Sequence, residues 1–147
     1  RWYHQAIFDL RAAEWNFQGH FHNTACFLSQ QAAEKALKSL LYYCGARRQA
    51  LLTHSIVSMI QSIIPDLPHL QDILEDARQL DLHYIPARYP NGLPDGIPYL
   101  FYGAETASRA IQAAEKILST ITEYYKNKGE QGFLAPHGAM PSLPPEQ

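Results

Sequence analysis

Residues 100–125, "LFYGAETASRAIQAAEKILSTITEYY", decide how the rest of the chain is read. Leu100, Ala104, Ala107, Ile111, Ala114, Leu118, Ile121 and Tyr125 alternate steps of four and three, laying one apolar stripe along a single long helix. A helix with one apolar side must bury it against partners, and the segments before it supply them. Residues 2–18 repeat Tyr3, Ile7, Leu10 and Phe17 at helical spacing, and "GHFHN" at 19–23 interrupts the pattern. A second helix is predicted over about 22–44, with Cys26, Ala33, Leu37, Leu40 and Cys44 on its apolar side and Gly45 ending it. A third starts near Thr53 or Ser55, carries Ile56, Met59, Ile60 and Ile63, and stops at Pro65. A fourth covers 67–81 with Leu70, Ile73, Ala77 and Leu80 inward.

Between the fourth helix and the last lies "LHYIPARYPNGLPDG", residues 82–96. Pro86, Pro90, Pro94 and Pro98 exclude helix there and hold the chain extended. From residue 127 the sequence is rich in Gly and Pro without periodicity. There is no alternating strand pattern and no internal repeat. The expected fold is all-α: an up-and-down helical bundle of four to five helices over residues 1–126, with a long Pro-rich loop before the last helix and a flexible tail at 127–147.

A chain of 147 residues builds one core without a metal or disulfide. Its net charge of −2 argues against general DNA binding. The sum hides an asymmetry, because residues 1–60 carry six Lys/Arg against three acids while residues 61–98 carry two against six. The two cysteines, Cys26 and Cys44, match no zinc or redox spacing and read as buried free thiols, which fits a reducing, cytoplasmic setting. No apolar run is long enough for a membrane span. The first residue is Arg1 rather than Met, which suits a module excised from a longer protein.

Three places hold residues suited to chemistry. On the second helix, Gln31, Lys35, Lys38 and Tyr42 share one face, either as a lysine pair offered to a phosphate or as a solvated surface with Glu34 and Lys38 as an ordinary i,i+4 pair. Arg47 and Arg48 precede His54 at a helix start, where an anion would fit; His54 would otherwise only pack at the helix entry. The Pro-rich loop supplies His83, Tyr84, Arg88, Tyr89 and Asn91, with Arg88 able to clamp phosphate and a tyrosine to stack a base. The other reading of that loop makes it a cover, with Arg88 paired to Asp72, Glu75, Asp76 or Asp81. Neither standard phosphate loop and no zinc-ligand motif is present.

The order of "ACFLSQQAAEKALKSLLYYCG", "LTHSIVSMI" and "ARQLDLHYIPARYPNG" resembles the HEPN domain family, named for higher eukaryotes, prokaryotes and nucleotide binding. The resemblance covers about residues 1–122 and implies a helical bundle that pairs into a homodimer. Such domains stand beside nucleotidyltransferases in prokaryotic modules and at the C-terminal end of the chaperone-like protein sacsin. It implies a binding module for a nucleotide such as ATP or GTP, with no cofactor required, joined to other domains of a parent chain. The expected contacts are Lys35, Lys38, His54, Tyr84, Arg88, Tyr89 and Asn91. The family also holds metal-independent ribonucleases and toxins that use Arg, four to six residues, then His. Arg78–His83, Arg48–His54 and Arg47–His54 fit that spacing, the first at the end of a predicted helix. A third reading is a dimerisation scaffold without ligand.

Overall fold

A computed structural model describes residues 1–130 and 132; the expected flexibility of the other tail residues lies outside that range. Three long helices, α1 (Trp2–Gln18), α2 (His22–Tyr43) and α7 (Ala104–Asn127), pack side by side with α2 touching both others. Their seams are lined by alanine: Ala6 and Ala13 on α1, Ala25, Ala32, Ala33 and Ala36 on α2, and Ala107, Ala110, Ala113 and Ala114 on α7 are all buried. Alanine favours helix most strongly and lets backbones approach closely, so these three helices are both well formed and tightly set. On α1 the buried residues are Tyr3, Ala6, Asp9 and Ala13, while Ile7, Leu10 and Phe17 are only partly covered.

The shorter helices close one side. α4 (Ile56–Ile63) buries Ile56, Met59, Ile60 and Ile63, and α5 (Leu74–Asp81) packs between α4 and α7. Ser55 caps α4 as expected, its Oγ accepting from the Ser58 N–H at 3.1 Å. A second cap comes from the end of α5. Asp81 accepts from the backbone N–H groups of Ile56 at 2.7 Å and Val57 at 3.1 Å, and from the Ser55 hydroxyl at 2.8 Å. Unpaired N–H groups at a helix start attract a carboxylate, so Asp81 pins the residues around His54.

Several boundaries differ from expectation, each for a local reason. The fourth predicted helix is split into a 3-10 turn at Pro68–Ile73 and then α5. The loop is not extended through Arg88: the N–H groups of Arg88 and Tyr89 both donate to the Ile85 carbonyl, at 3.0 and 3.1 Å, with Pro86 inside the turn. Pro98 does not exclude helix but opens one, α6 (Pro98–Phe101), because a first helical position needs no N–H. The chain then breaks at Gly103, so Leu100 lies off the α7 stripe and is 76% exposed. At its other end α7 stops on Gly129, whose φ of +75° lets the Glu130 N–H reach the Tyr125 carbonyl at 3.1 Å. The remaining short helix, α3 (Arg48–Leu51), precedes α4.

Cys26 is buried, and burial pushes its thiol up to about 12; Cys44, expected inside, is exposed at the end of α2. No described helix is long and apolar enough to cross a membrane. Among the described residues no cluster of three or more His, Cys, Asp or Glu side chains could hold a metal ion.

Candidate functional site

Gln30, Glu34 and Lys38 follow one another at steps of four, so they line one face of α2, and all three are buried. Glu34 is the hub. Its Oε1 lies 3.1 Å from His54 Nδ1 and its Oε2 accepts from Lys38 Nζ at 3.4 Å. Gln30 donates to the His54 carbonyl at 3.3 Å, and Gln31 donates to Gln30 Oε1 at 2.7 Å. The i,i+4 pair of Glu34 and Lys38 is therefore present but not on a solvated surface: Glu34 is 3% and Lys38 7% exposed. Lys38 Nζ also lies 5.4 Å from the Trp2 ring centroid. Lys35 points toward α1 and pairs with Asp9, which accepts from Gln5 at 2.8 Å.

His54 joins this seam to the loop. Its ring stacks on Tyr84, 4.6 Å between centroids at 18°. Arg88 Nε donates to the Tyr84 carbonyl at 2.9 Å. Its guanidinium then lies over three rings, Phe27 at 4.3 Å, Tyr84 at 4.7 Å and Tyr89 at 4.9 Å. Three of the four carboxylates expected to pair with it are engaged elsewhere. Asp81 caps α4, Asp76 holds Lys116 at 3.2 Å and Glu75 holds Arg78 at 3.0 Å. Among the described residues no carboxylate pairs with Arg88. Tyr89 is 48% exposed. Asn91 is exposed on a 3-10 turn at Pro90–Gly92. That turn sits hard against the preceding one, since a Cβ on Gly92 would stand 3.0 Å from Pro86 Cα.

Thus His54, Tyr84, Arg88 and Tyr89 form one cluster, Lys38 is tied to it through Glu34, and Lys35 stands apart against α1. Two carboxylates, Asp9 and Glu34, already answer two of the three cations, which leaves the Arg88 charge unanswered. The Arg–His spacings separate clearly. His83 is buried, with Nδ1 3.3 Å from the Tyr102 hydroxyl, and burial holds its pKa below the ordinary 6.5. Its spacing partner Arg78 is engaged with Glu75 on α5. His54 is the opposite case, with a 55% exposed side chain just before the α4 cap and exposed Arg47 and Arg48 upstream.

Phe27, Glu34 and Asp81 were missed as site residues. Glu34 had a signal, because four-residue steps of Gln30, Glu34 and Lys38 inside an alanine-rich helix place polar groups where packing is close. Phe27 had none, since its role depends on a loop sixty residues later.

The HEPN domain family model matches residues 1–124. Among solved structures, the chain is similar to TT1696 from Thermus thermophilus, at 36% identity and TM-score 0.77 over 83% of this chain and 94% of that one. It is similar to ST0689, described as an archaeal HEPN homologue, at 37% identity and TM-score 0.66 over 84% and 93%. It is also similar to a HEPN domain protein of Thermotoga maritima, at 29% identity and TM-score 0.65 over 83% and 94%. No curated protein matches it. The match over residues 1–124, on a bundle of this order, places the chain in the HEPN domain family.

Proposed function

We propose that this HEPN domain binds a nucleotide such as ATP or GTP on the face shared by α2, His54 and the 82–96 loop. Arg88 takes a phosphate, Tyr89 stacks the base, and Asn91 reaches the ligand from the turn beyond. The observation that carries this reading is the setting of Arg88: a guanidinium among three aromatic rings with no carboxylate of the described residues against it. The rings fix its plane while the terminal nitrogens stay available for a bidentate contact. Lys35 and Lys38 are each paired, so they act on the ligand through their field rather than by direct contact. Calorimetric titration with ATP and GTP tests this. Arg88→Ala should weaken binding about ten- to a hundredfold, and Arg88→Lys should recover little because an ammonium lacks the fork. Unchanged affinity in Arg88→Ala removes the reading.

The module is proposed to work as a homodimer inside a larger, chaperone-like parent protein. Exposed Trp15, Phe21, Tyr99, Leu100 and Phe101 support pairing, with Phe21 and Tyr99 side by side at 6.0 Å between ring centroids. Light scattering that returns only the monomer mass of 16.7 kDa at high concentration counts against it.

One observation favours a second reading, a metal-independent ribonuclease. Glu34 engages His54 Nδ1, so Nε2 is left to take a proton, with Arg48 at the family spacing. Cleavage of single-stranded RNA that vanishes in His54→Ala would establish it.

A further inference from the structure

A second cleft among the described residues lies away from Arg88. It lies at the outer end of the same α2 face, has a volume of about 560 Å³, and is lined by Arg1, Trp2, Gln5 and Tyr42. That volume falls in the range of small-molecule sites. Trp2 and Tyr42 form its aromatic wall, with ring centroids 6.2 Å apart and planes within 16° of parallel. Both rings are substantially exposed, 39% and 54%, although Trp2 is also held from below by Lys38. The polar groups around that wall are mostly donors. The Arg1 guanidinium, the Trp2 indole N–H and the Tyr42 hydroxyl have no hydrogen-bond or ion-pair partner among the described residues. Gln5 already donates through its amide N–H to Asp9.

We infer that this cleft is a second ligand site, separate from the Arg88 cradle, for a planar aromatic ring carrying an anionic group. Two near-parallel rings offer a stacking surface, which any flat heteroaromatic can use. Three donors, one of them a permanently charged guanidinium, select a ligand that is negatively charged and rich in acceptors over a neutral or cationic one. No internal bond of the protein has to break for these donors to engage. Tyr42 and Phe27, which marks the Arg88 cradle, are fifteen residues apart on α2, about 22 Å along its axis. A mononucleotide in one site therefore does not touch the other.

Trp2 makes the site directly readable. The only other tryptophan, Trp15, lies at the opposite half of α1 and is replaced by Phe in the test protein. AMP is titrated into this Trp15→Phe protein while Trp2 fluorescence is followed, with adenosine and inorganic phosphate as separate arms. The expected result is saturable quenching by AMP, weaker quenching by adenosine and none by phosphate. Tyr42→Ala should weaken AMP roughly tenfold, as loss of one stacking ring does, while Tyr42→Phe, which keeps the ring and loses one donor, should cost clearly less. Arg88→Ala should leave the Trp2 signal unchanged, so failure of the Arg88 reading and failure of this one are distinguishable. Absence of quenching at millimolar AMP, quenching that is indifferent to Tyr42→Ala, or quenching lost with Arg88→Ala each overturns the second site. All these substitutions are at exposed or partly exposed side chains, and thermal unfolding of each variant checks that the fold is intact.

Discussion

α2 and α7 are the two longest helices of the bundle, they pack on each other, and they bury their residues by different rules. α7 buries nine of its 24 residues, and all nine are Ala, Ile, Leu or Tyr on one stripe. α2 buries thirteen of its 22, and five of those are Ser29, Gln30, Glu34, Lys38 and Ser39. The difference follows from position. α7 has a solvent side, so polar residues collect there, whereas α2 is enclosed by α1, α4, α5, α6 and α7. Polar groups on an enclosed helix must find partners: Ser29 and Ser39 donate to carbonyls of α2 itself, while Gln30, Glu34 and Lys38 are linked to His54 and Trp2. The candidate site is the surface outcrop of that interior seam.

The sharpest break of the comparison is charge removal on α2 without change of size. Glu34→Gln leaves Lys38 buried without its carboxylate and should cost about 3–5 kcal/mol, as breaking a buried ion pair does. Urea unfolding measures it. Replacing both partners, Glu34→Leu with Lys38→Met, should restore most of that stability, because two apolar groups need no partner. The double variant also loses the hold on His54. A stable double variant with normal ligand binding would mean that the seam serves folding alone.

On α7 the cost should instead scale with volume. Ile121 is fully buried, so Ile121→Ala should lose about 2–5 kcal/mol and Ile121→Val only about 0.5–1.5 kcal/mol. A graded response on α7 beside an ungraded one on α2 is what two different interiors imply. Equal losses from Ile121→Val and Glu34→Gln would erase the distinction.

That contrast also explains what was legible in the sequence. Where buried means apolar, periodicity reads the fold: Ala107 through Tyr125, the α4 stripe and the α5 stripe all lie inside as the spacing implies. Where burial includes polar groups, the same spacing misleads, and Glu34–Lys38 reads as a surface pair. Prolines were read by what they forbid rather than where they are welcome, which hid the helical turn at Pro98 and the turn at Pro86. The cluster of His54, Tyr84 and Arg88 was legible as residue types in separate segments. Its assembly was not, because Asp81 sets the start of α4 from 25 residues away and Phe27 meets Arg88 across sixty.

A pH experiment probes the junction of the two helices. His83 stands against Tyr102, just ahead of α7, whose hydroxyl burial and nearby Cys26 of α2 push up to about 12. Burial holds the His83 pKa below 6.5 in the folded state, so the unfolded chain takes up a proton first as the solution is acidified. Stability from this group is therefore complete above pH 6.5 and is lost as pH falls toward the folded pKa, by at most about 1.4 kcal/mol per pH unit for one proton. His22 shifts in the same direction through burial and His20, and adds to the slope. His83→Gln keeps a polar group for Tyr102 and cannot titrate, so its stability should fall less steeply between neutral pH and pH 5. A slope unchanged by His83→Gln would show that the buried histidine does not carry the effect.

The smallest effect should come from the lysine on α7 that most resembles Lys38. Lys116 also pairs with a carboxylate, Asp76 at 3.2 Å, and donates to the Asp72 carbonyl at 3.1 Å. On geometry alone its contacts are shorter than the 3.4 Å between Lys38 and Glu34. Yet 56% of its side chain is exposed, so water and salt replace whatever the protein provides. Lys116→Ala should therefore cost under about 1 kcal/mol, and the loss should shrink further in molar salt as screening shortens to a few ångströms. Lys38→Ala removes the buried cation of Glu34 and leaves only His54 beside it, and its cost should stay near about 3–5 kcal/mol at any salt concentration. If the two lysines cost the same, distance rather than enclosure governs these pairs. The polar seam of α2 would then be ordinary surface chemistry that happens to be covered.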